Sequence, residues 1–172
     1  MKNSKTLWIC RTAILTALLL VLQFVTKPLG QLVTGSCVNA VLSVAALAAG
    51  LSSGICVALL SPLFAFLLGI GPQLFPLTPA IAAGNCVLVL ALHLICRDDF
   101  SPLRRLIACL AASVCKFSAL YILIVKIICN VMELAPKQVA TFSAMFSWPQ
   151  LVTALIGSAL ALLMVPRIIK SR

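Results

Sequence analysis

The sequence predicts an all-α integral membrane protein of six transmembrane helices with both termini in the cytoplasm. Three observations support this prediction: 63% of the 172 residues are hydrophobic and only 9% are charged, six long apolar segments fill the chain, and the breaks between them are short. A span needs about 20 apolar residues to cross the hydrocarbon core of a bilayer, so six spans use about 120 residues. We therefore predict a single six-helix membrane domain over residues 1–172.

Each apolar segment between two breaks predicts one span. In chain order the spans lie near residues 7–25, 33–50, 54–71, 75–96, 103–132 and 147–166. The first follows basic residues, as the apolar part of a secretory signal does, but no small-x-small cleavage site follows it, so we interpret it as a retained span. Val139, Phe142 and Phe146 stand at helical spacing before the last span and predict a short interfacial helix.

The connections between the spans differ in composition. Gly50-Leu51-Ser52-Ser53-Gly54 predicts a tight turn between the second and third spans. Residues 26–36 and 69–79 are broken by Gly and Pro, and they predict irregular backbone at membrane depth. Irregular backbone is tolerated there only where protein buries it or where it lines a watery cavity. We therefore predict a cavity on the side of the membrane that holds these two connections.

The basic residues indicate the orientation. Nine of them fall on one side of the predicted membrane: Lys2, Lys5, Arg11, Arg97, Arg104, Arg105, Arg167, Lys170 and Arg172. The opposite side holds only Lys27 and Lys137, so the positive-inside rule places the nine, and both termini, in the cytoplasm. The net charge of +10 is thus explained by topology, and we expect the lipid bilayer rather than a nucleic acid as the partner of this charge.

Polar side chains gather in the predicted outer half of the membrane. They are Gln23, Gln31, Thr34, Ser36, Asn39, Gln73, Thr78, Asn85 and Asn130. A cluster confined to one half favours a binding pocket that opens outward, since a continuous pore needs polar lining at every depth. The alternative is that these residues join helices to one another, because Asn and Ser form hydrogen bonds across packed membrane helices.

Two lysines lie inside the fifth predicted span, and no span contains Asp or Glu to neutralise them. At about 100° per residue, Lys116, Lys126 and Asn130 fall within an arc of roughly 80° and would share one helix face. A pocket with an unpaired ammonium favours a ligand with a carboxylate, a phosphate or several carbonyl acceptors. Alternatively, Lys126 extends to the interface, and Lys116 is neutral or bonds backbone carbonyls at a helix break. The candidate substrate-binding residues are Gln31, Thr34, Asn39, Gln73, Asn85, Lys116, Lys126 and Asn130.

The sequence lacks the motifs of ATP hydrolysis and of common catalytic sites, so we expect no enzyme and no cofactor in this chain. The eight cysteines form no C-x-x-C pair, which argues against a metal site and favours small buried hydrophobic side chains. An intramembrane enzyme that acts on lipid through His93 or a cysteine is a third possible class. It lacks a second placed catalytic group.

The first span carries a short motif, Ala13-Ile14-Leu15-Thr16-Ala17. With six spans in under 200 residues, an outer polar cluster and no energy source, the chain resembles the substrate-binding S component of energy-coupling factor (ECF) transporters. Residues 31–39 and 69–73, together with Gly84-Asn85, look like segments of uncharacterised members of that family. The resemblance does not imply which substrate is bound.

The resemblance implies partners and a mechanism. Ala13 and Ala17 would pack on a transmembrane coupling subunit, which is joined to two ATPase subunits that consume the ATP. The chain would lie in the cytoplasmic membrane of a prokaryotic cell, bind a vitamin or related micronutrient under its outer loops, and topple to release it inside. The lid would be the first outer connection, with Gln31 and Thr34, and the Gln73 loop. The alternative is an autonomous small-solute permease or channel, which would move solute without ATPases.

Overall fold

The structure is a computed structural model, and it describes residues 2–96 and 101–170, with side chains described from residue 5 to 96 and from 101 to 168. Within these residues the fold is all-helical, as the sequence predicts. Of the basic residues that indicate the orientation, Arg97 and Arg172 lie outside the described residues.

We number the helices of the described chain in order. They are α1 (Lys2–Thr26), α2 (Gln31–Ala49), α3 (Leu51–Leu67), α4 (Leu77–Cys96), α5 (Pro102–Val131), α6 (Pro136–Met145) and α7 (Trp148–Lys170). The last turn of α2, Ala45–Ala49, is π-helical, and so is the segment Tyr121–Ile128 within α5. A 3-10 turn, Lys27–Leu29, joins α1 to α2.

Five stretches of the described chain are long and apolar enough to cross a membrane. They are Lys5–Leu29, Gln31–Ala49, Leu77–Cys96, Pro102–Val131 and Pro136–Ile168. The third predicted span corresponds to α3, which is apolar but has only 17 residues. The short helix predicted before the last span is α6, whose Phe142 is buried together with the following Phe146.

Two connections differ from their predicted form. The turn predicted over residues 50–54 is a single residue, because Gly50 adopts φ +97° and reverses the chain at once, so that α3 begins at Leu51. The first outer connection, expected to be irregular over residues 26–36, is helical except around Gly30. Residues 68–76 are irregular, as predicted.

The long helices alternate in direction, so the bundle has two distinct ends. At one end, Trp8 Nε1 donates to Ser52 Oγ at 2.9 Å, and Arg105 Nη1 donates to the carbonyl oxygen of Leu162 at 3.3 Å. We call this the basic end, because Lys5, Arg11, Arg104, Arg105 and Arg167 belong to it. The opposite end holds the Lys27–Leu29 turn, residues 68–76 and α6, and we call it the loop end.

The apolar core is densest toward the basic end. Helix α2 lies along α7, α4 lies between α3 and α5, and α1 packs on α2 and α3. The side chains that meet there include Leu42, Val57, Leu88, Leu92 and Ala112, all fully buried. A smaller apolar cluster at the loop end joins α4, α5 and α6 through Leu77, Leu120 and Phe142. Between the two clusters the loop end is hollow.

Candidate functional site

A cavity of about 320 Å³ opens at the loop end, and all seven helices contribute to its wall. The polar or charged lining residues are Gln23, Lys27, Gln31, Thr34, Asn39, Ser61, Thr78, Asn85, Lys116 and Gln150. Its volume falls within the roughly 300–1,000 Å³ of small-molecule sites in proteins. The cavity predicted from the sequence is therefore present at the end where the Gly- and Pro-containing connections lie.

Lys116 lies at the deep end of the cavity, near the middle of α5. Its side chain is only 3% exposed. Its Nζ donates to Asn39 Oδ1 on α2 at 2.5 Å and to Asn85 Oδ1 on α4 at 2.6 Å. An ammonium has three N–H donors, so these two bonds leave one for another acceptor.

Two further hydrogen bonds extend this network to neighbouring helices. Asn39 Nδ2 donates to Thr153 Oγ1 on α7 at 3.3 Å, and Asn85 Nδ2 donates to Ser61 Oγ on α3 at 3.4 Å. Asn39, Asn85, Thr153 and Ser61 are each at most 2% exposed. We call these four residues and Lys116 the lysine network. It connects α2, α3, α4, α5 and α7 at one depth in the bundle.

Close approach of α2 and α7 holds Asn39 in place. Gly157 of α7 lies directly against α2, where a Cβ atom would stand 2.5 Å from Asn39 Cβ and 2.6 Å from the carbonyl oxygen of Ser36. One turn away, a Cβ at Gly35 would meet Thr153 Cγ2 at 2.9 Å. Both glycines thus bring the two helices near enough for Asn39 and Thr153 to bond.

The charge of Lys116 has no carboxylate to balance it among the described residues. The whole chain contains three acidic residues, namely Asp98 and Asp99 in the connection before α5, and Glu133 after it. Both partners of the ammonium are neutral amides. A buried charge is costly to desolvate unless hydrogen bonds or an opposite charge compensate it. The site is therefore suited to an acceptor-rich or anionic molecule.

Hydrogen bonds between separate segments surround the mouth of the cavity. Lys27 Nζ donates to the carbonyl oxygen of Gly69 at 2.9 Å, joining the first and second connections of the loop end. Gln31 Nε2 donates to the carbonyl oxygen of Met145 at 2.5 Å, joining α2 to α6. Thr34 Oγ1 donates to the carbonyl oxygen of Thr26 at 2.9 Å and fixes the start of α2 to the end of α1.

Apolar side chains form the rest of the wall. Phe66 comes from the end of α3, Ile70 from the connection that follows it, Ile81 from α4, Leu120 from α5 and Phe146 from the residues between α6 and α7. A mostly apolar wall with a few placed polar groups is typical of sites for small organic molecules, because the wall supplies contact area and the polar groups fix orientation.

Comparison with known families identifies the kind of protein that contains this cavity. The model of the family described as "ECF transporter, substrate-specific component" matches residues 8–169. The chain belongs to this family. It is therefore a substrate-binding membrane subunit, an S component, and the resemblance drawn from the motif at Ala13 and Ala17 is confirmed. No curated protein and no solved structure matches the chain.

Five of the eight candidate substrate-binding residues line the cavity of this S component: Gln31, Thr34, Asn39, Asn85 and Lys116. The other three do not. Gln73 is exposed in the second connection of the loop end, where its Nε2 donates to the carbonyl oxygen of Gly71 at 3.4 Å. Contact between these eight residues and the substrate stays a prediction.

The expectation that Lys116, Lys126 and Asn130 share one helix face is wrong. The π-helical segment Tyr121–Ile128 lies between them, and its wider turn rotates the residues that follow relative to a regular α-helix. Lys126 is exposed, with Nζ 5.7 Å from the ring centroid of Tyr121. Asn130 is also exposed, and its Nδ2 donates to the carbonyl oxygen of Lys126 at 2.7 Å.

Sequence reasoning did not select three residues of this site. Ser61 and Thr153 complete the lysine network, but a lone hydroxyl in an apolar helix gives no signal of its own. Ser61 precedes Pro62, which lies inside α3 beside the cavity, and that pair was the available clue. Gln23 belongs to the outer polar cluster, and its burial on α1 makes it notable only once the structure is known.

No group of three or more His, Cys, Asp or Glu side chains in the described part of the chain could hold a metal ion. The eight cysteines all lie in the described part of the chain and form no disulfide there; Cys96, Cys109 and Cys129 are buried, as predicted, whereas Cys10 and Cys115 are exposed. His93 lies near the end of α4, at the basic end and away from the cavity.

A second concave surface of the S component lies between α1, α2 and α7. It encloses about 850 Å³ and is almost entirely apolar, with Arg11 at the basic end. Ala13 and Ala17 are exposed on α1 beside this groove. In the most apolar stretch of the span that contains α1, only 22% is buried, against 39–44% for the corresponding stretches of the other four candidate spans. Among the five candidate spans, the one that contains α1 therefore has the largest uncovered share.

Proposed function

We propose that this S component captures a vitamin or related micronutrient, anionic or rich in carbonyl acceptors, in the cavity at the loop end. It delivers that molecule inward with a transmembrane coupling subunit and two ATPase subunits, which use the ATP. This chain itself holds no cofactor and catalyses no reaction. The observation that carries the proposal is the buried Lys116 ammonium at the floor of the cavity.

The energetics of Lys116 support a ligand of this chemistry. A lysine at the centre of a span costs about 2.5–3.5 kcal/mol on insertion scales, and apolar residues would make a more stable bundle. Asn39 and Asn85 compensate part of this cost and hold the ammonium in one position. A carboxylate, phosphate or carbonyl oxygen that takes the third N–H completes its hydrogen bonds.

We propose that all six long helices, including α3, cross the cytoplasmic membrane of a prokaryotic cell, with both termini in the cytoplasm. The exposed Lys5, Arg11, Arg104 and Arg167 at the basic end support this orientation through the positive-inside rule. The cavity then opens outward. Apolar packing closes the bundle beneath the lysine network, which favours a binding subunit over a continuous channel.

The lid of the cavity is, in this proposal, the connection between α1 and α2 together with residues 68–76. The hydrogen bond from Lys27 to Gly69 joins these two segments, and Gln31 and Thr34 anchor the first of them. Retention of ligand binding after Thr34 and Gln73 are substituted together would remove the support for this lid.

The coupling subunit binds, in this proposal, to the exposed face of α1 and the apolar groove beside it. A membrane-embedded helix fits an apolar groove that runs along the length of the spans. Ala13 and Ala17 allow a second helix to approach closely, because neither side chain extends beyond its Cβ.

The experiment that tests the proposal is affinity purification of the tagged protein from its native membrane in mild detergent, with mass spectrometry of proteins and small molecules. We expect two ATPases, one helical membrane subunit and a small acceptor-rich molecule. Recovery of the bare protein, with solute flux in proteoliposomes that contain this chain alone, would instead establish an autonomous permease.

A further inference from the structure

One buried polar group at the cavity is unsatisfied. Gln23 on α1 is 8% exposed and lines the cavity, and its Oε1 is enclosed and accepts no hydrogen bond from the described residues. The other buried polar side chains of α1 do form hydrogen bonds. Thr12, Thr16 and Thr26 each donate to a backbone carbonyl oxygen four residues earlier. Gln23 is thus the exception on an otherwise satisfied helix face.

The two other buried amides at the cavity are satisfied. Asn39 and Asn85 each accept from Lys116 and donate to a hydroxyl group. A buried amide without partners destabilises a protein, so a leucine of similar size would serve the fold better at position 23. A ligand in the cavity would supply the missing partners once the Gln23 side chain turns its enclosed oxygen toward the cavity.

We infer that Gln23 determines the specificity of the cavity by pairing with an amide-like edge of the substrate. A carboxamide carries one acceptor and two donors, and rotation about its last side-chain bond exchanges the two ends. Its best partner is another group with an adjacent C=O and N–H, since both hydrogen bonds then form together. This inference rests on the proposed function and narrows it.

The position of Lys116 adds the second requirement. Gln23 and Lys116 line the same cavity from α1 and α5, so one small molecule can meet both. The ammonium takes a carboxylate or another anionic acceptor, and the amide takes the C=O and N–H edge. The substrate class is therefore a carboxylated amide, lactam or ureide. A cavity of about 320 Å³ lies at the lower end of the roughly 300–1,000 Å³ of small-molecule sites, which suits a compound of one or two rings.

The test uses the purified full chain and matched pairs of small carboxylates. In each pair one compound carries the amide-like edge and the other replaces it with methylene groups, such as 5-oxoproline against cyclopentanecarboxylate and hydantoin-5-acetate against cyclopentylacetate. An equimolar mixture of these pairs is incubated with wild type and with Gln23→Leu, and the retained compounds are quantified by mass spectrometry. We expect wild type to prefer the amide-bearing members by about tenfold and Gln23→Leu to lose that preference.

Thermal unfolding without added compounds gives an independent readout. Gln23→Leu removes an unsatisfied amide, so its Tm should equal or exceed that of wild type. Asn85→Leu is the matched control, because it removes a buried amide that bonds Lys116 and Ser61, and its Tm should fall. A Gln23→Leu variant that loses Tm as Asn85→Leu does would assign Gln23 a structural role and overturn the inference.

The outcomes separate this inference from the proposed function. If wild type retains carboxylates without preferring the amide-bearing members, or if Gln23→Leu keeps the preference, Gln23 does not determine specificity and the proposed function stands. If wild type retains no compound of the mixture while the native partners still co-purify, the substrate class is wrong and the S-component assignment stands. If neither compounds nor partners are retained, both the inference and the proposed function fail.

Discussion

The cavity at the loop end and the exposed face of α1 are opposites in almost every physical property. The cavity has a buried lysine and two buried amides at its floor, held by hydrogen bonds among five helices. The face of α1 is exposed and apolar, and its most distinctive residues, Ala13 and Ala17, have the smallest side chains that a Cβ allows. The cavity can bind a molecule through charge and hydrogen bonds, whereas the face of α1 can bind a partner only through complementary packing.

This difference suggests how a small subunit can separate two tasks. Hydrogen bonds to a charged group contribute about 1.5–3 kcal/mol each and depend strongly on the ligand. Packing of small residues between membrane helices depends on backbone approach and is indifferent to what the cavity holds. We therefore expect substitutions in one region to leave the other region's task intact.

The largest effect should follow from Lys116→Met, which removes the ammonium and keeps most of the side-chain volume. We expect retention of the co-purifying molecule to fall by about 10- to 100-fold, because the one charge-assisted hydrogen bond that the ammonium can give the ligand is lost, at about 1.5–3 kcal/mol. Mass spectrometry of the purified variant measures the loss. Co-purification of the partner subunits should be unchanged.

Lys116→Arg is the matched control, since it keeps the charge but changes the donor geometry. A guanidinium cannot reproduce the compact contact with both Asn39 and Asn85, so retention should be intermediate. If Lys116→Met retained the molecule fully, the ammonium would not bind the ligand. Charge would then not distinguish the task of the cavity from that of the α1 face.

The second effect concerns the packing that shapes the cavity. Gly157→Leu places a side chain where even a Cβ would stand 2.5 Å from Asn39 Cβ, so α2 and α7 must move apart. Overpacking of this kind costs about 1–3 kcal/mol of stability and should also displace Asn39 from Lys116. Thermal unfolding and substrate retention should both decrease.

Ala159→Leu on the same helix is the control, because residue 159 is exposed and adds the same volume without meeting α2. It should leave the unfolding temperature and substrate retention close to those of wild type. Equal losses in both variants would mean that α7 tolerates no leucine here for reasons of helix insertion, and the role given to Gly157 would be wrong.

The third effect concerns the exposed face of α1. Ala17→Trp and Ala13→Trp add a large ring to the exposed face of α1, so a partner helix can no longer approach closely. We expect recovery of partner subunits to fall by about tenfold or more, with substrate retention within about twofold of wild type. Leu110→Trp on the exposed face of α5 is the control for an added indole ring in the membrane, and it should keep the partners.

The sequence predicted the helices well because apolar length is a local property. The six predicted spans overlap α1–α5 and α7, and the helix predicted before the last span is α6. The outer cavity followed from the clustering of Gly, Pro and polar residues, and it required no knowledge of packing. The turn at Gly50 differed only in length, since one glycine with positive φ was sufficient.

The lysine network could not be predicted in the same way, because it depends on contacts between distant segments. Lys116 and Asn39 are separated by 77 residues, and Asn39 and Thr153 by 114. Their meeting depends on how closely Gly157 lets α7 approach α2. Periodicity assigns a residue to a face, but it cannot identify which helix that face will meet.

The smallest expected effect is that of Lys126→Met, and it tests the departure of α5 from a regular helix. With 100° per residue, Lys126 would lie near the face of Lys116 and enter the cavity, but the π-helical segment Tyr121–Ile128 turns it outward, to the ring of Tyr121. We therefore expect substrate retention within about twofold of wild type, since only an exposed cation–π contact of about 0.5–1 kcal/mol is lost. A loss as large as that of Lys116→Met would mean that α5 rewinds to a regular helix when substrate binds, and that both lysines then face the cavity.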